Sequence, residues 1–248
     1  RSAGRHGVGL EYLETNAHWC DDDETALAGF RELQAAGLNA VLISASMFHV
    51  EFIPLRKTKA AIRAAFEVFG RHNVLVWTPD VLQRMDQALE DDRTYPLRKS
   101  APLMGLDIEH GEVFHLHTYL RSGGRAAERL ADGLSHYSPD SFEGDRCGPT
   151  MDGVQHFHID PFGNLFTGHC PGISIATIDD FHPTLDPEEH PFFFALKRGG
   201  PYSAWRECAP EFEPDSKGYT GKCHFCLELR KSVQEEGRFL ELRPREYY

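Results

Sequence analysis

No apolar run in this chain approaches the roughly 20 residues needed to cross a bilayer, so no membrane partner is expected. The opening Arg1-Ser2-Ala3-Gly4-Arg5-His6 has no apolar segment of the kind a secretory signal requires. Positive charge is the scarcer sign: 26 Lys and Arg stand against 38 Asp and Glu, for a net charge of -12. Phosphate backbones are gripped by clustered Lys and Arg, so nucleic acid is not expected as a partner either. Fixed-period repeats and low-complexity tracts are absent. So are a nucleophile elbow and a Ser-His-Asp order, which leaves hydrolase chemistry without support. Cysteine is sparse: six in 248 residues are too few for a disulfide scaffold. With no export signal, the expected setting is the reducing cytoplasm, where grouped thiols more often hold metal than pair. No Met stands at position 1, and a processed product or a fragment is expected.

What is present is an alternation of strand and helix patterns, with 41% hydrophobic residues to fill a core. Residues 8–16 read as a strand, and Asp21-Asp22-Asp23 offers N-cap candidates for a helix carrying Ala26, Phe30 and Leu33 at helical spacing. Ala40-Val41-Leu42-Ile43-Ser44 and Val74-Leu75-Val76-Trp77 are continuous apolar runs that suit parallel strands covered on both faces. Helices are expected at 57–69, 80–91 and 124–134, and a further strand at 112–119. Strands alternating with helices over short connections predict βα units on a parallel sheet.

After about residue 137 the texture changes: Pro and Gly become frequent and long helical periodicity vanishes. The expected division is residues 1–137 and residues 138–248. Within the second part, 155–160 and 165–167 read as a β-hairpin around Pro161-Phe162-Gly163-Asn164. Residues 183–214 read as irregular, with only a short helix near 192–198, and 226–236 as a helix.

The cysteines are unevenly placed: Cys20 stands alone and the other five follow residue 146. Cys223 and Cys226 form a CxxC, a spacing that turns two thiolates toward one metal but also occurs in redox sites. Cys147 and Cys170 flank the expected hairpin, whose open end would bring them together. Four thiolates are the number that a cubane iron–sulfur cluster or a tetrahedral zinc requires. His156, His158, His169 and His224 leave a mixed Cys/His zinc site open as an alternative.

Cys147, then His158-Ile159-Asp160-Pro161-Phe162-Gly163-Asn164-Leu165-Phe166, Cys170 and the Cys223–Cys226 pair together resemble the auxiliary-cluster domain of radical S-adenosylmethionine (SAM) enzymes, of the SPASM or shorter twitch type. Glu14-Thr15-Asn16 resembles a strand end of the radical SAM barrel. The segment from Ile43 through Ser44, Ser46 and His49 to Pro54 resembles the next strand end and its loop. The resemblance implies an α/β fold: part of a parallel β/α barrel, then a small irregular α+β cysteine-rich domain with a hairpin. It implies one auxiliary [4Fe-4S] cluster on Cys147, Cys170, Cys223 and Cys226, with Cys208 as a substitute ligand or an idle thiol, and zinc as the alternative metal. It also implies radical SAM chemistry, with a peptide or protein as substrate.

Ligands of such folds sit at the carboxyl ends of strands, which places Asn16, Ser44, Ser46, His49 and Trp77 around one mouth. Hydroxyls there suit a ribose and a Trp or His an adenine, so the resemblance implies SAM as ligand. Each residue could equally cap a strand or open a helix. Two family features are missing: the CxxxCxxC that binds the catalytic cluster and the Gly-rich segment after the second barrel strand. The chain therefore resembles a radical SAM protein without its first two βα units. A missing N-terminal barrel half, or a partner, is expected to cover the strand edge so exposed.

Overall fold

The computed structural model describes residues 5–106, 123–130, 134–151, 157–168, 170–181, 185–234 and 237–248. The chain divides into two compact units, Arg1–Ile108 with His115–His117, and Glu109–Phe114 with Thr118–Tyr248. The fold is mixed α/β with two small sheets, one of them parallel.

In the first unit, β1 (Leu13–Thr15), β2 (Val41–Ser44) and β3 (Val74–Trp77) form a parallel sheet in that order. The expected first strand is trimmed to three residues. The expected strand at 112–119 lies outside the described residues. Helix α1 (Asp23–Ala35) starts where local chemistry directs it: the Thr25 amide donates to Asp22 Oδ1 at 2.7 Å, and Asp23 and Glu24 supply favourable charge in the first turn. A short α2 (Met47–Val50) follows β2, and α3 (Leu55–Phe69) returns the chain to β3. Ala61, Ala64 and Ala65 keep α3 slim on its inner side, so it packs with Phe30 of α1 against Val41 and Ile43. α4 (Pro79–Ala88) follows β3; α5 (Leu97–Leu103), which contains Pro102, has no counterpart among the expected elements.

Helices cover one face of this sheet. On the other face Glu14, Leu42 and Leu75 stand in register, as do Ser44 and Trp77. Leu75 is 54% and Trp77 36% exposed. Parallel sheets ordinarily have both faces covered; among the described residues this face is left partly exposed at Leu75 and Trp77.

The second unit contains α6 (Arg125–Leu130), α7 (Gly148–Met151), an antiparallel sheet of β4 (Phe157–Ile159), β5 (Asn164–Thr167) and β6 (Ala176–Thr177), then α8 (Pro191–Cys208) and α9 (Lys222–Gln234). Tyr137 and Tyr219 exchange backbone hydrogen bonds of 2.8 and 2.9 Å, which ties residues just before 138 into this unit. The hairpin turn is chemically explicit. Asp160 Oδ1 accepts the Phe162 and Asn164 amides at 2.8 and 2.9 Å, and the Asn164 side-chain amide bonds back to Asp160 Oδ2 at 3.0 Å. Gly163 takes φ 82°, a left-handed conformation that side chains resist.

The stretch 183–214 departs from expectation: α8 spans 18 residues of it. Gly200, at φ 75° and ψ -166°, breaks the helix, and Pro201 opens a second helical segment, a position where proline is favoured. Gly199-Gly200-Pro201 is thus a stop and a start at once. α9 also begins four residues earlier than expected, so the CxxC lies inside its first turn. The core gathers Phe192, Phe193 and Leu196 of α8 with Phe225 and Leu229 of α9. Among the described residues no helix is long and apolar enough to cross a membrane.

Candidate metal centre

Helix α9 is the platform. Between Cys223 and Cys226, Phe225 is fully buried, with ring centroids 5.0 Å from Tyr219, 5.8 Å from Trp205 and 6.1 Å from Phe142. This anchor fixes the rotation of the first helical turn, and with it the direction of both flanking cysteines. Residues three apart on a helix lie on neighbouring positions of one side. The free amides of that turn favour negative charge, which suits thiolates.

Two cations on the same helix tie the other two cysteines to it. Lys222 Nζ donates to Asp145 Oδ1 at 2.5 Å and to Arg146 O at 3.0 Å, holding the segment that leads into Cys147. The Cys147 amide in turn donates to Leu196 O of α8 at 3.1 Å. The break in α8 makes room for this segment: a Cβ on Gly200 would lie 2.0 Å from Asp145 O. Arg230, one turn beyond Cys226, donates to Pro171 O at 2.8 Å and so holds the turn that begins at Cys170. Tyr248 caps the same turn by donating to Gly172 O. Three separate stretches of chain that carry cysteines are thus tied to one helix.

The thiols feel one another. Burial pushes the Cys226 thiol up to about 12, against the pull of Arg230, and Cys147, Cys223 and Cys170 each add to the rise. Burial likewise raises Cys147 to about 11, opposed by Lys222 and reinforced by Cys170 and Cys223. Cys226 thus feels the other three cysteines, and Cys147 feels Cys170 and Cys223. At the same time, no three His, Cys, Asp or Glu side chains among the described residues are drawn together tightly enough to hold a single metal ion. The donor set is four soft thiols, which suits iron–sulfur or zinc. A buried guanidinium beside them suits a group carrying net negative charge.

The other candidates lie elsewhere or are engaged. Cys208, raised by burial to about 11, feels Glu207, Glu241, Arg198 and Arg238. Cys20 is buried in the core of the first unit. His224 Nδ1 accepts from the Thr220 amide at 3.3 Å, and His158 stacks on Phe166 with centroids 5.2 Å apart. His156 and His169 lie outside the described residues.

In the first unit an open hollow at the carboxyl ends of β1 and β2 is lined by Glu14, Thr15, Asn16, His18, Trp19 and Ser44. Of the residues expected from the sequence, Asn16 and Ser44 line it. Ser46 is buried, its hydroxyl 2.7 Å from His49 Nδ1, and Trp77 ends β3 in register with Ser44. Glu14, His18 and Trp19 were not among the expected site residues. The signal that could have found them is the strand end itself, since the Trp19 indole donates to Thr15 Oγ1 at 3.1 Å and folds the chain back over the strand. Lys222 and Arg230 were missed too. Their placement immediately before Cys223 and one turn after Cys226 was the available cue.

Comparison of the chain with protein-family models, with curated proteins and with solved structures finds no match.

Proposed function

We propose that the second unit holds a [4Fe-4S] cluster on Cys147, Cys170, Cys223 and Cys226, and that the chain is the C-terminal portion of a radical SAM enzyme that modifies a peptide or protein. The observation that carries this reading is the pair of ties from Lys222 and Arg230, which hold the Cys147 and Cys170 segments against the helix bearing the CxxC. Four soft thiols suit either an iron–sulfur cluster or a zinc ion, and the anion expected beside the buried Arg230 favours the cluster.

A bound cluster would supply one-electron transfer or an anchoring iron for substrate. The chain's own residues do the rest. The first turn of α9 carries two of the cysteines, Phe225 sets their rotation, and all four cysteines are half-buried. The exposure of Leu75 and Trp77 on one face of the parallel sheet, among the described residues, supports the barrel reading, because a barrel turns one face of its sheet inward and clothes the other with helices. On this reading Ser44 and Trp77 face the barrel interior, and Asn16, Ser44, Ser46 and His49 belong to the rim that receives SAM. The cover for that face is a further barrel segment or a partner chain. Without a CxxxCxxC, this chain by itself should not cleave SAM.

Anaerobic reconstitution with elemental analysis tests the proposal. About four iron and four sulfide per chain, with an absorbance shoulder near the visible edge, is the expected result. One zinc and no sulfide would replace the reading with a zinc module for assembly. Uptake of neither metal would remove the metal reading altogether.

A further inference from the structure

Arg230 is the most deeply buried cation named in the second unit, 6% exposed. Among the described residues its guanidinium meets uncharged groups: Cys226 O at 3.4 Å, Pro171 O at 2.8 Å and the Tyr248 hydroxyl at 3.0 Å. The rings of Tyr247 and Tyr248 lie 5.9 and 5.3 Å from its central carbon. Among the described residues no carboxylate is paired with it, whereas Lys222 and Lys231 of the same helix both have acidic partners. A buried charge without a counter-charge is strongly destabilising, so this position calls for an anion.

Among the described residues, the groups beside Arg230 able to become anions are thiols and phenols: Cys226, Cys170, Tyr247 and Tyr248. Cys226 precedes it by one helical turn, and Cys170 adjoins the Pro171 carbonyl that it binds. The two tyrosines close the other side. Gly172 leaves them their seat, since a Cβ there would lie 2.6 Å from Tyr247 Cδ1 and from the Tyr248 hydroxyl. Arg230 is thereby shielded by the two tyrosines and held against the backbone beside Cys226 and Cys170. In such a setting a fixed charge acts strongly on its neighbours.

We propose that Arg230 is the counter-charge of the thiolate-held group at Cys170 and Cys226, and that it raises the reduction potential of that group. The inference rests on the iron–sulfur reading above. Thiolate-ligated clusters are anionic, and each electron accepted adds negative charge. A fixed cation alongside therefore favours the reduced form, as hydrogen bonds and net charge around clusters generally do. Arg230 is a positioning residue in this account, acting on the ligands and the charge and touching no substrate.

The test compares the parent chain with Arg230→Met and Arg230→Lys after anaerobic reconstitution. Iron and sulfide are counted first, and the cluster is then titrated with dithionite and redox mediators. At the parent midpoint potential, the reduced-to-oxidised ratio of R230M should fall at least tenfold, about 59 mV downward for one electron. R230K should stay within about threefold of the parent. R230M failing to take up iron while R230K loads would also support the proposal, since charge would then be needed to assemble the group. An unchanged ratio in R230M would overturn it. So would loss of helical circular dichroism in both variants, which would mark a packing role. Failure of the parent itself to take up iron and sulfide would instead overturn the cluster reading on which the inference stands.

Discussion

The thiol site of the second unit and the polar hollow of the first are assembled in opposite ways. The hollow collects Thr15 and Ser44 from the ends of adjacent parallel strands, and pairing Thr15 with Ile43 is enough to bring those ends side by side. The thiol site collects cysteines from three distant stretches, and nothing in the sheet does the gathering. Lys222 and Arg230 do it instead, reaching across 76 and 59 positions of sequence, with Phe225 as the buried pivot. Sheet register aligns a site without dedicated contacts. A ligand set scattered along the chain needs side chains whose task is to hold it together. The consequence is that the thiol site should be sensitive to single substitutions around it, and the hollow should not.

The largest effect expected from this contrast is on the pivot. Phe225→Ala should destabilise the second unit by about 3–5 kcal/mol and leave the first unit's unfolding unchanged. Denaturant titration followed by probes in each unit would check it, and equal loss in both units would erase the distinction drawn here.

A pH titration of the metal-free chain comes next. Burial raises Cys226 to about 12, Cys147 to about 11 and Cys20 to about 12 from an ordinary 9.0. The folded state thus keeps protons that the unfolded chain releases. The stabilisation is complete below pH 9 and is lost as pH rises through 11 and 12. Both units should weaken over that window. Iron and sulfide should spare the second unit alone, because its ligated thiolates no longer titrate. Thermal melts between pH 8 and 11, with and without reconstitution, would read this out.

Lys222→Met removes a half-exposed ion pair, so the cost in stability should stay under about 1 kcal/mol. Iron uptake should nonetheless fall, because the Cys147 segment loses its tie; normal uptake would show that the tie is dispensable. The smallest effect is expected at Leu75, which is half-exposed. Leu75→Glu should change the stability of this chain by no more than about 0.5 kcal/mol, while weakening association with the cover proposed for that face. A large loss of stability in the chain alone would mean that the face is already packed.

Much of the architecture was legible because it is local. Alternating apolar runs and helical spacing located β2, β3, α1 and α3 within a few residues. The Asp160 to Asn164 turn was legible for the same reason, since its bonds span two to four residues. Helix α8 was not, because Gly199-Gly200-Pro201 reads as a terminator and only packing against Asp145 and Cys147 reveals why a helix resumes beyond it. β6 was missed as well, being two residues that gain strand geometry only by pairing with β5.

By itself the sequence determined β2, β3, α1 and α3, the turn from Asp160 to Asn164, and that two cysteines flank a hairpin while two more lie at a helix start. These follow from the intrinsic preferences of short segments, each of which carries its own signal. Only the tertiary structure decided that Lys222 and Arg230 bridge the cysteine segments, that Arg230 is buried with no carboxylate paired to it among the described residues, and that Leu75 and Trp77 stay partly exposed on the parallel sheet. Those outcomes depend on which distant groups exclude water from one another, and burial is a property of the packed chain that no local run of residues contains.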